Sequence, residues 1–249
     1  MKKIVLKIFS AFLCSAIVLF SSCSKESRWD CVKGTGKKTT VTRPLASFNK
    51  IYVNGNIDVI LRQGSGQEVT VEAGGNLLPE IKTEVVNGEL HIDNHNKCNW
   101  ARSYKKGTIT INVTLEQPLR YLWTEGSGLI KSTDTLICDF LKIWAHQSGN
   151  VDLIVNANYV LSDTHTTADL TLHGKTGLLQ FYHTGEGYLH LEDLQANDAW
   201  IYSNTSGDAF INVLFSMEVT LNWVGNIYYK GNPSISLLGS GKGKLIQQN

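Results

Sequence analysis

Four stretches of the chain lie over one another without a gap: Ile143-Trp-Ala-His-Gln-Ser-Gly-Asn-Val-Asp-Leu153, Ser162-Asp-Thr-His-Thr-Thr-Ala-Asp-Leu-Thr-Leu172, Phe181-Tyr-His-Thr-Gly-Glu-Gly-Tyr-Leu-His-Leu191 and Ile201-Tyr-Ser-Asn-Thr-Ser-Gly-Asp-Ala-Phe-Ile211. Leu122 to Ser132 and Val219 to Tyr229 extend the series, and Ser240-Gly-Lys-Gly-Lys-Leu245 is a partial copy. The copies begin between 18 residues (Ile201 to Val219) and 21 residues (Leu122 to Ile143) apart. That period matches one coil of a parallel β-solenoid and is short for ankyrin, tetratricopeptide or WD repeats.

The alignment sorts residues by direction. Leu122, Ile143, Phe181, Ile201 and Val219 form one apolar column, and Ile130, Val151, Leu170, Leu189 and Ile227 form another, so both are expected to point inward. Gly128, Gly149, Gly187, Gly207, Gly225 and Gly243 recur at one corner, with Ala168 the exception, as where the chain turns at positive φ or passes without room for a Cβ. Asn150, Asp169, Asp208 and Asn226 follow the corner and read as a structural ladder, because short polar side chains bond neighbouring backbone. From Phe48 to Leu115 the chain alternates in the same β manner without so regular a period, with Asn54-Gly55 and Asn87-Gly88 as turns, and is expected to begin the same solenoid.

Outside the repeat the first residues stand apart. Lys2, Lys3 and Lys7 precede the apolar stretch Ile8 to Phe20, too short for a comfortable membrane span, and Ser21-Ser22-Cys23 closes it. This reads as a lipoprotein signal over 1–22, with Cys23 acylated and anchoring the protein to a membrane, a polar tether over 23–38 and the solenoid over 39–249. The expected place is the cell envelope, on the outer membrane, with the face open. Export permits disulfides. With Cys14 lost in the signal, Cys31, Cys98 and Cys138 remain; Cys31 and Cys98 sit in polar, loop-like surroundings and are expected to pair, leaving Cys138 in a strand-like run.

The order Phe48-Asn-Lys-Ile-Tyr-Val-Asn-Gly-Asn-Ile-Asp-Val, then Asn76-Leu-Leu-Pro-Glu-Ile-Lys-Thr-Glu-Val-Val-Asn-Gly-Glu-Leu, together with Gly225-Asn-Ile-Tyr-Tyr-Lys-Gly-Asn-Pro233 and the terminal Gly-Ser-Gly-Lys-Gly-Lys-Leu, resembles the head GIN domain of auto-transporter adhesins. The resemblance runs from about Cys31 to Leu245. It implies a secreted or lipid-anchored protein of Bacteroidota-like bacteria, an all-β, right-handed parallel β-helix similar to pectin lyase folds, and an adhesive role. It supplies no catalytic residues. This chain departs from the family's usual corner by carrying His146 and His165 where Ser is typical.

Lys and Arg total 23 against 22 Asp and Glu, so no whole-chain field is available to hold nucleic acid. The alternative of a polysaccharide lyase or glycoside hydrolase needs carboxylates gathered across one bond, but Asp152, Asp163, Asp169, Asp193, Asp198 and Asp208 are spread over different columns, with only Asp169 and Asp208 sharing the corner ladder, and no Arg follows Arg120. No catalytic residue or cofactor is therefore expected. His146 and His165 share a column with His183 offset by one; polar corner histidines more often bond backbone or water than a metal, so none is expected. The candidate ligand surface is Trp123, Trp144, Tyr182 and Tyr202, one column that alternation turns outward, for a glycan or protein ligand of unknown identity.

Overall fold

A computed structural model describes residues 34–97 and 108–248. Among these the regular structure is all β-strand, apart from a short 3-10 turn at Leu78–Glu80. The strands are β1 (Lys38–Thr42), β2 (Lys50–Gly55), β3 (Asp58–Gln63), β4 (Glu68–Gly74), β5 (Ile81–Val86), β6 (Glu89–Asn94), β7 (Ile109–Leu115), β8 (Tyr121–Gly126) and β9 (Leu129–Ser132). They continue with β10 (Leu136–Ala145), β11 (Asn150–Thr164), β12 (Leu170–His183), β13 (Leu189–Ser203), β14 (Ala209–Leu221), β15 (Ile227–Lys230), β16 (Ser234–Leu238) and β17 (Leu245–Gln247). Together they wind a β-solenoid of about seven turns.

From β8 onward every pairing is parallel, and the registers reproduce the columns read from the repeat. Leu122, Ile143, Ser162, Phe181, Ile201 and Val219 follow one another from coil to coil, as do Ile130, Val151, Leu170, Leu189, Ala209 and Ile227. All twelve are buried and, Ser162 apart, belong to one continuous apolar core. Burial at these alternate positions is the main favourable term holding the coils together, at roughly 25 cal/mol per Å² of apolar area.

The corner glycines are needed for closeness rather than for unusual φ. A Cβ on Gly187 would stand 2.0 Å from the Ala168 carbonyl oxygen, and one on Gly225 2.2 Å from that of Gly207. Neither residue has positive φ; at this corner the left-handed residues are Gln147 and Thr166, each at φ 64°. The Asn/Asp ladder is structural. Asn150 Oδ1 accepts from Asp169 N (3.2 Å), Asp169 Oδ1 from Tyr188 N (2.8 Å), Asp208 Oδ1 from Asn226 N (2.7 Å) and Asn226 Oδ1 from Lys244 N (3.0 Å). Each side chain thus satisfies a backbone donor of the following coil.

The first part joins the same stack but not the same pattern. β2 and β3 pair in parallel with β8 and β9, Ile51 in register with Leu122 and Val59 with Ile130, so the inward columns start there. Beyond them the pairings of β1 with β4, β4 with β7 and β5 with β6 are antiparallel. Asn87 (φ 52°) and Gly88 (φ 74°) make the tight turn of the β5–β6 hairpin, a conformation that suits Asn-Gly. These strands close the N-terminal end, and their exposed edges carry Lys38, Lys82 and Glu84, charges that discourage edge-to-edge pairing.

Candidate functional site: the aromatic lateral face

Strand alternation turns Trp123 (β8), Trp144 (β10), Tyr182 (β12) and Tyr202 (β13) out of the core, each beside a buried residue, and the parallel registers set them in one column with Asp163 between the second and third. Their surroundings differ.

The upper part is covered by other side chains. Trp123 packs edge-on to Tyr52 (ring centroids 5.6 Å) and tilted against Trp144 (5.2 Å), while Tyr121 stacks on Trp144 (6.2 Å) and meets Phe140 (5.9 Å). Lys142 Nζ lies 3.7 Å from the Trp144 ring centre, a cation–π contact. Trp123 and Trp144 are only partly exposed, and the Trp123 indole nitrogen is buried without a partner. At the top Tyr52 donates to Glu125 Oε2 (2.8 Å); burial, then this bond, push its hydroxyl up to about 12.

The lower part is open. Tyr182 and Tyr202 are 41% and 36% exposed, with centroids 6.0 Å apart. Trp200, two residues before Tyr202 and so on the same face of β13, is 53% exposed. With Gln180, Glu218 and Thr220 these rings line a shallow cleft across β12, β13 and β14. Gln180 is fixed on both sides, accepting from the Tyr159 hydroxyl and donating to that of Tyr182 (2.8 Å). Trp200 is the residue the column reading missed. Its column runs Tyr121, Lys142, Leu161, Gln180, Trp200, Glu218, so the other ring in it lies four coils away, although parity from Tyr202 places Trp200 outward.

Between the two parts sits a polar seam. Asp163 Oδ1 meets His165 Nε2 at 2.9 Å, His165 Nδ1 meets the Thr184 hydroxyl at 2.7 Å, and the His165 and His146 rings stand edge-on at 4.6 Å. Burial, then the charge of His165, hold His146 below the ordinary imidazole value. His183 does not join them. It points inward, fully buried, with Nε2 2.8 Å from the Gly187 carbonyl, and burial lowers its pKa too. Among the described residues no group of three or more His, Cys, Asp or Glu is arranged to hold a metal.

A second aromatic row lies on another side of the coil. His190, Phe210 and Tyr228 stack nearly parallel, at 5.6 and 5.0 Å. Their faces are spent on one another, leaving edges to solvent. Histidine–carboxylate contacts occur at Glu89–His91, Asp163–His165 and His190–Glu192, and His173 reaches both Asp152 (3.3 Å) and Asp193 (3.5 Å). None of these residues lines the aromatic cleft. Cys138 is a buried free thiol, pushed up to about 11 by burial and then by Asp139, and so poorly nucleophilic. Cys23, Cys31 and Cys98, the expected lipidation and disulfide residues, lie outside the described residues.

The molecule is thus of the class in which a stacked-coil scaffold displays side chains along a lateral face. The chain belongs to the family described as putative auto-transporter adhesin, head GIN domain, whose model matches residues 47–233. Its fold is shared with a putative adhesin from Bacteroides fragilis, 23% identical, covering 87% of this chain and 100% of that one with a TM-score of 0.79. It is shared too with a putative adhesin from Parabacteroides distasonis (19% identity, 87% and 100% covered, TM-score 0.65) and with a putative lipid binding protein from the same species (20%, 87% and 99%, TM-score 0.62). No curated protein matches the chain.

Proposed function

We propose that the chain is an exported, lipid-anchored adhesion or recognition module without catalytic activity, and that the cleft of Tyr182, Trp200 and Tyr202 is where it holds a glycan. The observation that carries this reading is the half-exposed indole of Trp200, flanked in its own column by the Gln180 amide and the Glu218 carboxylate. The C–H face of a sugar ring is apolar and its rim is hydroxylated. An aromatic plane bordered by a fixed amide and a carboxylate matches both requirements in one small area. Family membership supports the adhesive reading. The Cys23 motif supports export and anchoring.

A glycan and matrix-protein binding array is the direct test, and retention of glycans by the wild type with loss in Trp200→Ala is expected. Binding only to proteins, unaffected by removing their glycans, would overturn the ligand class. The enzyme alternative predicts new reducing ends or unsaturated products when the ectodomain is incubated with pectins and host glycans; none is expected. Export also predicts the Cys31–Cys98 disulfide, contributing roughly 2 to 4 kcal/mol. Mass mapping that finds both thiols free after periplasmic expression would count against it.

A further inference from the structure

The two ends of the solenoid are finished differently. At the N-terminal end antiparallel strands with charged edges cover the coils. At the other end β16 pairs only with β14, and β17 only with β15, so among the described residues their outer edges have no neighbouring strand. The register continues the inward columns into this last coil: Ile235 follows Met217 and Leu237 follows Val219. Met217 and Val219 are buried, whereas Ile235 is 42% and Leu237 56% exposed. Core side chains and a row of unpaired backbone donors and acceptors thus face outward together, on a strand, Ser234-Ile-Ser-Leu-Leu238, that carries no charge. An apolar uncharged edge of this kind is a template for another strand.

The charge around it selects the partner. From Val219 to Asn249 the chain has Lys230, Lys242 and Lys244 and no Asp or Glu. A second copy docked C-terminal edge to C-terminal edge would bring six lysines together against the single Glu218 of each copy beside Ser236, and docked head to tail it would meet the charged edges of the N-terminal strands instead of an open apolar edge. A lipid surface would receive the apolar side chains but could not satisfy the open backbone groups. An extended peptide with alternating apolar residues and carboxylates satisfies all three features, by strand addition, core completion and neutralisation of the lysines. We infer that the C-terminal coil edge, β16 with Ile235 and Leu237, is a docking site for an extended acidic segment of a partner protein, added as the next strand of the solenoid.

The test uses the whole ectodomain and two synthetic peptides, one alternating Val with Glu and the other Val with Lys. Fluorescence anisotropy is expected to show the acidic peptide binding at least roughly tenfold more tightly than the basic one, with the difference shrinking as salt rises. Amide exchange is expected to slow across Ser234–Leu238 when the acidic peptide is added. Leu237→Lys should abolish binding, and because Leu237 is already exposed the fold should survive, as circular dichroism will check. The double variant Lys242→Glu, Lys244→Glu should reverse the preference toward the basic peptide. Failure of the acidic peptide to bind, equal binding of both, or an unchanged preference in the charge-reversed variant would overturn the proposal. So would Leu237-dependent dimers in sedimentation, which would make a second copy the occupant, or retention on phosphatidylglycerol vesicles without peptide binding.

Discussion

Trp123 and Trp144 share a column with Tyr182 and Tyr202, yet the two pairs have become different materials. The first pair is enclosed by Tyr52, Tyr121, Phe140 and Lys142, while the second stands open beside Trp200. Column position decides only that a side chain leaves the core. Whether it then meets solvent depends on its neighbours along and beside the column: Tyr52 along it and Tyr121, Phe140 and Lys142 beside it for the first pair, and the shorter Thr220 along it with Gln180 and Glu218 beside it for the second. An aromatic ladder can therefore brace the scaffold at one end and offer a binding surface at the other. Asp163 and the two histidines mark the change.

The comparison is broken most directly at Trp123. Replacing it by Ala removes the ring that joins Tyr52, Trp144 and His146. Equilibrium denaturation is expected to show a loss of about 2 kcal/mol, below the range for a fully buried Trp because this one is partly exposed. Ligand binding at the lower cleft should be unchanged. A loss under about 0.5 kcal/mol would mean the upper rings rest on the surface without bracing it.

Acidification probes the seam and the core beneath it. His146 and His183 are both held below the ordinary imidazole value, chiefly by burial, whereas in the unfolded chain they titrate near about 6.5. Well above that value both states are neutral and these groups give stability no pH dependence. As pH falls through the unfolded value, the unfolded chain takes up protons the folded chain resists, so stability falls until the folded values are passed. The melting temperature is expected to be flat near neutrality and to drop toward about pH 5. His183→Thr, copying Thr164 one coil earlier in the same column, should make that drop shallower even if it lowers the melting temperature overall. An unchanged slope would remove His183 from the explanation.

How much of this was legible in the sequence differs between the regions for physical reasons. From Leu122 onward each coil repeats the same contacts, so inward columns, corner and polar ladder are written several times over and survive Ser162 and Ala168. In the first part, β1, β4 and β5 alternate as parallel strands do, and period-two patterning carries no direction, so their antiparallel pairing was not readable. The corner glycines were recognisable as a constraint, but its cause, the carbonyl of the preceding coil, is a property of the stack. Of the site, the outward direction of the four rings follows from parity alone. The cover over Trp123 and Trp144 does not, because Tyr52 comes from a coil that the repeat alignment did not reach.

The smallest expected change in stability is at Trp200, and it sharpens the comparison most. No ring contact within the protein holds this indole among the aromatic pairs of the face, more than half of its surface is exposed, and its backbone pairing with Gln180 and Glu218 does not depend on its side chain. Trp200→Ala should therefore change the unfolding free energy by less than about 0.5 kcal/mol. The same substitution should remove most glycan binding, since a central exposed ring is the kind of residue that dominates a small interface. Trp200→Phe keeps a flat apolar face and should recover part of the affinity, an outcome that a merely structural role would not produce. Trp123→Ala and Trp200→Ala are then expected to show opposite profiles, one losing stability and keeping the ligand, the other keeping stability and losing it. Equal binding by wild type and Trp200→Ala would show that the open half of the face is not where the ligand sits.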